Sequence, residues 1–196
     1  TGGQPEVPLL VDGALYFTAS IWPLDPNAQV GYLAESLDAK TGNVRWRTPL
    51  TYLPTPLAVA DGAVYVACAG AATLATPAEG LVALNMSDGA YRWRDLVGSF
   101  GNVGPSSAPA VEASAVYVYA RDGLMAVGTQ DGAPRWKASV PIQGESLQFP
   151  VQVSGRNIYA LTLNYRGHLV VVASDTGTER WRYDEPNGSV VSVVLG

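Results

Sequence analysis

The chain has 196 residues, of which 47 % are AVILMFWYC and only 15 % charged, with 21 Gly and 14 Pro. That composition excludes a disordered chain, which needs low hydrophobicity and high charge, and a coiled coil, which needs more Glu, Lys and Leu. Twelve Lys and Arg against 17 Asp and Glu give a net charge of -5, the wrong sign for a dedicated nucleic-acid binder.

In chain order, the first pattern is Pro8-Leu-Leu-Val-Asp-Gly-Ala-Leu-Tyr16. Alternating apolar residues around Asp12-Gly13 predict a hairpin, because Asp and Gly tolerate the positive φ of tight primed turns. The pattern recurs at Pro56–Tyr65 with Asp61-Gly62, at Pro109–Tyr117, and at Pro150–Tyr159. Each copy supplies strands A and B. The stretches LAESLDA, GLVALNM, GLMAVGT and HLVVVAS supply strand C. A glycine turn and an R-W-R/K stretch, strand D, complete each unit.

The C–D region is an ungapped repeat: SLDAKTGNVRW ending at Trp46, ALNMSDGAYRW at Trp93, AVGTQDGAPRW at Trp136 and VVASDTGTERW at Trp181. Gly42, Gly89, Gly132 and Gly177 each precede their Trp by four residues. The tryptophans are spaced by 47, 43 and 45 residues. Four antiparallel strands in ~45 residues is the arithmetic of a β-propeller blade. The expected fold is therefore all-β. Four four-stranded blades lie at about 5–50, 51–97, 104–140 and 145–185, and the first strand of a fifth at 189–195 (Ser-Val-Val-Ser-Val-Val-Leu).

The eleven-residue unit, with Asp or Asn early, Gly eighth and Trp eleventh, resembles the tryptophan-docking motif of PQQ-type quinoprotein β-propellers. Similar repeats occur in BamB-like outer-membrane assembly proteins and in extracytoplasmic sensor domains of some bacterial kinases. The likeness covers residues 5–183. It departs from the pattern at Gly128 and Ala173, where Asp or Asn is expected. The resemblance implies a seven- or eight-bladed ring from which this chain is a cut piece, the alternatives being two copies that complete one ring or a terminal strand that closes four blades on themselves, and it implies an extracytoplasmic (periplasmic or cell-surface) location. Each repeated Trp is expected to lie flat between blades, and each repeated Gly to adopt positive φ in the C–D turn. Eight of the 12 basic residues flank these tryptophans. On an alternating strand both flankers point away from the Trp, where they would guard the outer edge against pairing with other chains.

Variable connections mark the candidate binding face, since loops carry function on rigid scaffolds. The B–C excursion at 18–31 holds Trp22, Asp25 and Asn27; others fall at 69–79, 95–108 and 138–149. All emerge on one rim. Trp22, the Trp outside the repeat, is either a contact residue or a cap on its blade.

Catalytic constellations are not expected. His168 is the single histidine and Cys68 the single cysteine, too few for a facial metal triad or a Cys-rich zinc site. The Val-Tyr-Val-Ala-Cys-Ala setting reads as a buried thiol. The resemblance implies that a PQQ dehydrogenase would carry paired cysteines and a calcium-binding carboxylate cluster, so no cofactor is expected. The polar opening Thr1–Pro5 does not read as a signal peptide. No apolar run reaches the ~20 residues of a membrane span. The leading expectation is a non-enzymatic binding, scaffold or ligand-sensing domain that offers its loop-rich face to a protein, peptide or small ligand. The alternatives are a fragment of a PQQ-dependent dehydrogenase and the sensor domain of a membrane kinase.

Overall fold

A computed structural model describes residues 8–21, 30–69, 80–95, 107–120, 123–138, 150–162, 168–185, 190 and 193. The described residues form antiparallel strands in four sheets and no helix. Blade one orders β1 (Leu9–Val11), β2 (Ala14–Ile21), β3 (Gly31–Asp38) and β4 (Val44–Leu50). Blade two has β5 (Leu53–Pro54), β6 (Ala58–Ala60), β7 (Ala63–Ala69), β8 (Leu81–Asn85) and β9 (Tyr91–Asp95). Its β5 and β6 both pair with β7, so this sheet has five strands. Blade three runs β10 (Ala110–Glu112), β11 (Ala115–Ala120), β12 (Gly123–Gly128) and β13 (Pro134–Ala138). Blade four runs β14 (Gln152–Ser154), β15 (Asn157–Thr162), β16 (His168–Ala173) and β17 (Glu179–Asp184). Val190 and Val193 lie outside any strand.

Two-residue turns join strands A and B in every blade. Asp12 and Gly13 take φ of 48° and 70°, and Asp61 and Gly62 take 51° and 69°, the left-handed pairs that a primed turn requires. In the later blades only the first turn residue is left-handed. Gly155 suits that position, whereas Ala113 adopts φ 52° against its own Cβ.

The C–D corner repeats in atomic detail. Gly42, Gly89, Gly132 and Gly177 have φ between 66° and 74°. Their amides donate to the carbonyls of Asp38, Asn85, Gly128 and Ala173. The residue just before each glycine, Thr41, Asp88, Asp131 or Thr176, accepts on its side-chain oxygen the amide two positions on. The backbone carbonyl is the contact all four early positions share, which Gly128 and Ala173 also supply; Asp38 adds carboxylate bonds to Lys40 N, Thr41 N and Arg45, and Asn85 adds one to Arg92. At Gly128 a Cβ would collide with the Asp131 carboxylate, which fills that space.

A β-bulge sits at the same place in all four C–D pairs, one residue before the Trp. It overturns the simple alternation expected for the basic flankers. The Arg before each Trp is the bulged residue, and in the first three blades it turns toward its own A–B turn. Arg45 donates to Gly13 O and Asp38, Arg92 to Asp61 O, Gly62 O and Asn85, and Arg135 to Ser114 Oγ. These arginines tie two turns together and do not stand as free charges on an edge. The second flankers are also engaged. Arg47 pairs with Glu35 at 2.8 Å, Arg94 stacks on Tyr91 at 3.5 Å, and Arg182 pairs with Glu179 at 2.8 Å.

The core lies between sheets. One apolar cluster joins blades one and two through Tyr16, Trp46 and Leu50 against Val64, Val66 and Leu84. A second joins Tyr65 and Leu81 to Val116 and Val127. A third joins Tyr117 and Leu124 to Ile158 and Val170. Cys68 is buried in the first. Burial tracks the neighbours on each side. Strand β2 alternates buried and half-buried residues over Ala14–Ala19 and ends exposed, the described side chains of β7 are all buried, and β17 is exposed throughout. A sheet with a blade on both faces reads as a continuous apolar run; a terminal sheet shows one covered face.

Candidate functional site

Two rims bound the blade array, and each carries a different part of the predicted site. The turn rim holds the A–B and C–D turns, and the repeated Trp and Gly meet beside it. Trp46 does not pack on Gly42 of its own blade. Its ring lies over Gly89 of the next blade, where a Cβ would stand 2.6 Å from Cε3. Trp93 covers Gly132 in the same way, and Trp136 covers Gly177. Each indole Nε1 donates to the carbonyl three residues before that glycine: Trp46 to Met86 at 2.8 Å, Trp93 to Thr129 at 2.9 Å and Trp136 to Ser174 at 2.9 Å. Each acceptor is itself fixed, because the amides of Met86, Thr129 and Ser174 donate to Gly62, Ser114 and Arg156 in the A–B turns.

The strand-B tyrosine completes each joint from the Trp's own blade. Tyr16, Tyr65 and Tyr117 approach Trp46, Trp93 and Trp136 with centroids 5.9–6.1 Å apart and tilted rings. Such pairs add about 0.5–1.5 kcal/mol to the area buried. In the first joint Thr48 Oγ1 also donates to Gly89 O at 2.7 Å, and Tyr91 Oη to Pro49 O at 2.7 Å. Glycine is needed at these turns for two reasons at once: the left-handed φ and the absence of any atom where the indole rests.

The end members differ. Trp181 is 48 % exposed, against 6 % for Trp46, and nothing lies within 4 Å of a Cβ built on Gly42. The sequence separation of partners, about one blade, hides this pairing from a reading of the repeat unit alone. The missed signal was the order of joining, not the residues.

The opposite rim gathers the ends of strands B and D and the starts of strands C. The register pairs Ile21 with Gly31 and Tyr32 with Leu50 in blade one, and His168 with both Thr162 and Asp184 in blade four. The variable connections therefore leave from one side of the array. Trp22, Asp25 and Asn27 lie outside the described residues. On this rim His168 Nδ1 stands 2.5 Å from Asp184 Oδ1. Among the described residues no group of three or more His, Cys, Asp or Glu is placed to hold a metal, and no helix is long and apolar enough to cross a membrane.

Four-stranded antiparallel blades, joined in series by a repeated Trp, define a β-propeller array of the PQQ type. The model of a family described as outer membrane protein assembly factor BamB matches residues 78–195, and the chain belongs to this family. Solved structures agree in fold. BamB from Moraxella catarrhalis superposes with a TM-score of 0.55 at 15 % identity, covering 90 % of this chain and 75 % of that one. A quinohemoprotein alcohol dehydrogenase from Pseudomonas putida HK5 gives 0.66 at 16 % identity, and one from Comamonas testosteroni gives 0.64 at 19 %. Each covers 90 % of this chain, which spans only about a third of the dehydrogenase chains. No curated protein sequence matches significantly.

Proposed function

We propose that the chain is a non-enzymatic binding or scaffold module of an extracytoplasmic protein, presenting its loop-bearing rim to a protein, peptide or small ligand. The carrying observation is the division of labour between the rims. The turn rim is knitted by short turns, bulged arginines and indole hydrogen bonds that repeat from blade to blade. The other rim carries every connection whose length changes between blades. A rigid array that varies only on one side is built to vary what it touches. The family description, an outer membrane assembly factor, supports both the scaffold role and the extracytoplasmic placement.

Site-specific photocrosslinking tests this. A crosslinker at Trp22 or Asn27 should capture a discrete partner in the cells that make the protein, whereas one at Lys40 or Asp88 on the turn rim should not. Capture at the turn rim alone would sink the assignment. Protease protection in intact cells, lost on opening the envelope, is expected for the location.

The second reading is a segment of a PQQ-dependent dehydrogenase, favoured by the superposition on two such enzymes. A saturable rise in melting temperature with PQQ and calcium ions would replace the scaffold reading with this one.

A further inference from the structure

The three joints share a tryptophan seated on the next blade's turn and an apolar cluster beneath it. They differ in the side-chain hydrogen bonds around that common centre. In the first joint Thr18 Oγ1 donates to Thr55 O, in addition to the bonds of Thr48 to Gly89 O and Tyr91 to Pro49 O. Thr55 moves with blade two, because its amide donates to Ala67 O in β7. In the third joint Tyr117 Oη donates to Ser174 O and Tyr119 Oη to Leu161 O, and Glu112 Oε1 accepts the Gly155 amide.

The second joint, between blades two and three, holds the same positions with different residues. By register, Ala67 stands where Thr18 and Tyr119 stand, Ala60 where Glu112 stands, and Pro134 where Tyr91 stands. Ala60 and Ala67 pack into the cluster of this joint, but neither a methyl group nor a prolyl ring can make a hydrogen bond. Tyr65, the counterpart of Tyr117, is fully buried, and its hydroxyl has no partner among the described residues. A buried hydroxyl left unpaired costs the closed joint free energy. Ser36 Oγ, beside Trp46 in the register, is unpaired too, but Thr18, Thr48 and Tyr91 tie the first joint from other positions. Among the described residues the second joint rests on the Trp93 indole bond and on apolar contact.

We propose that the second joint is the hinge of the array: blades one and two form one rigid body, blades three and four form another, and the two part along the seam at Trp93. Opening separates Trp93 Nε1 from Thr129 O and brings water to the Tyr65 hydroxyl, which gains the partner it lacks in the closed joint. That gain offsets part of the cost of baring the apolar cluster. Native proteins open in cooperative units, along the boundaries that hold least. The seam crosses the loop-bearing rim, so its motion changes the spacing between connections on its two sides. The joint has a described blade on each side, and the inference is independent of what the rim binds.

The three indole N–H protons report the joints one by one, since each is bonded across a different joint. Their exchange with deuterated water is followed by proton–nitrogen NMR on the 196-residue chain, each signal being assigned through its ring contact with Tyr16, Tyr65 or Tyr117. The Trp93 proton should exchange about tenfold or more faster than those of Trp46 and Trp136, the ratio expected where side-chain hydrogen bonds of ordinary net strength are missing. Exposure alone predicts no such gap between Trp93 and Trp136, which are both half-buried. Tyr119→Phe keeps the ring but removes one bond of the third joint. It should speed exchange at Trp136 several-fold and leave Trp93 unchanged. Equal rates at the three indoles, the pattern of opening by global unfolding alone, overturn the proposal. So does slower exchange at Trp93 than at Trp136, or a Tyr119→Phe variant in which Trp136 exchanges as in the wild type.

Discussion

Replacing Gly132 by alanine adds one methyl group at a position with two distinct demands. Gly132 has φ 66°, and a Cβ there would lie 2.6 Å from Trp93 Cε3 and 2.8 Å from Cδ2. A left-handed backbone costs a residue with a Cβ about 1–2 kcal/mol, offset by roughly 0.4–1 kcal/mol from the stiffer unfolded chain. Forcing the indole aside is overpacking of a buried site, about 1–3 kcal/mol. The sum is about 1–5 kcal/mol, or roughly 2–18 °C in Tm for a chain of this size. Gly13→Ala is the internal control. Gly13 has φ 70° with nothing within 4 Å, so it carries the backbone demand alone, about 1 kcal/mol or less. Urea unfolding followed by circular dichroism measures both. If the two substitutions cost the same within about 0.5 kcal/mol, the ring of Trp93 does not depend on the bare glycine and the joint is misread.

Three further outcomes are expected. Trp46→Ala should destabilise the fold by about 3–5 kcal/mol, as for a buried Trp, while Trp181→Ala, at a half-exposed ring, should cost less than about 1 kcal/mol; thermal melts compare them. Ala113→Gly should stabilise by about 0.5–1 kcal/mol, since relief of the left-handed strain exceeds the added chain entropy; a lower urea midpoint than wild type would contradict it. The Arg45 guanidinium, joined by turn hydrogen bonds from Thr41 and Lys40, lowers the Asp38 pKa to about 2. A carboxyl held below its unfolded value of about 3.9 contributes stability above that pH and loses it as pH falls toward 2. The Tm gap between wild type and Asp38→Asn should therefore be constant from neutral pH to about 5 and close between about pH 4 and pH 2.

Much of this architecture was legible because the chain repeats itself. Trp46, Trp93, Trp136 and Trp181 mark strand D, and the Asp12-Gly13 and Asp61-Gly62 pairs mark hairpins whose φ values follow from the residue types. The departures at Gly128 and Ala173 looked like decay of the motif. The corner keeps its backbone hydrogen bond there and the side chain of the residue before the glycine, while the side-chain bonds that Asp38 and Asn85 add in the first two blades are absent. The arginines were misread because one bulge residue shifts a strand's alternation, and a bulge leaves no mark in a pattern of apolar and polar letters. The partner of each Trp was hidden for another reason: a repeat shows what recurs, not which copy touches which. The candidate binding rim was legible only as unequal connection lengths, and Trp22, Asp25 and Asn27 lie outside the described residues.

The claim that blades are joined by a Trp seated on the following blade's glycine is tested most directly by a double-mutant cycle on Trp93 and Gly132. Once Trp93 is Ala, Gly132→Ala should cost only its backbone demand, giving a coupling energy of about 1–3 kcal/mol. The cycle on Trp93 and Gly89, its own blade's glycine, should give a coupling within about 0.5 kcal/mol of zero. A larger coupling of Trp93 to Gly89 than to Gly132 would contradict the account.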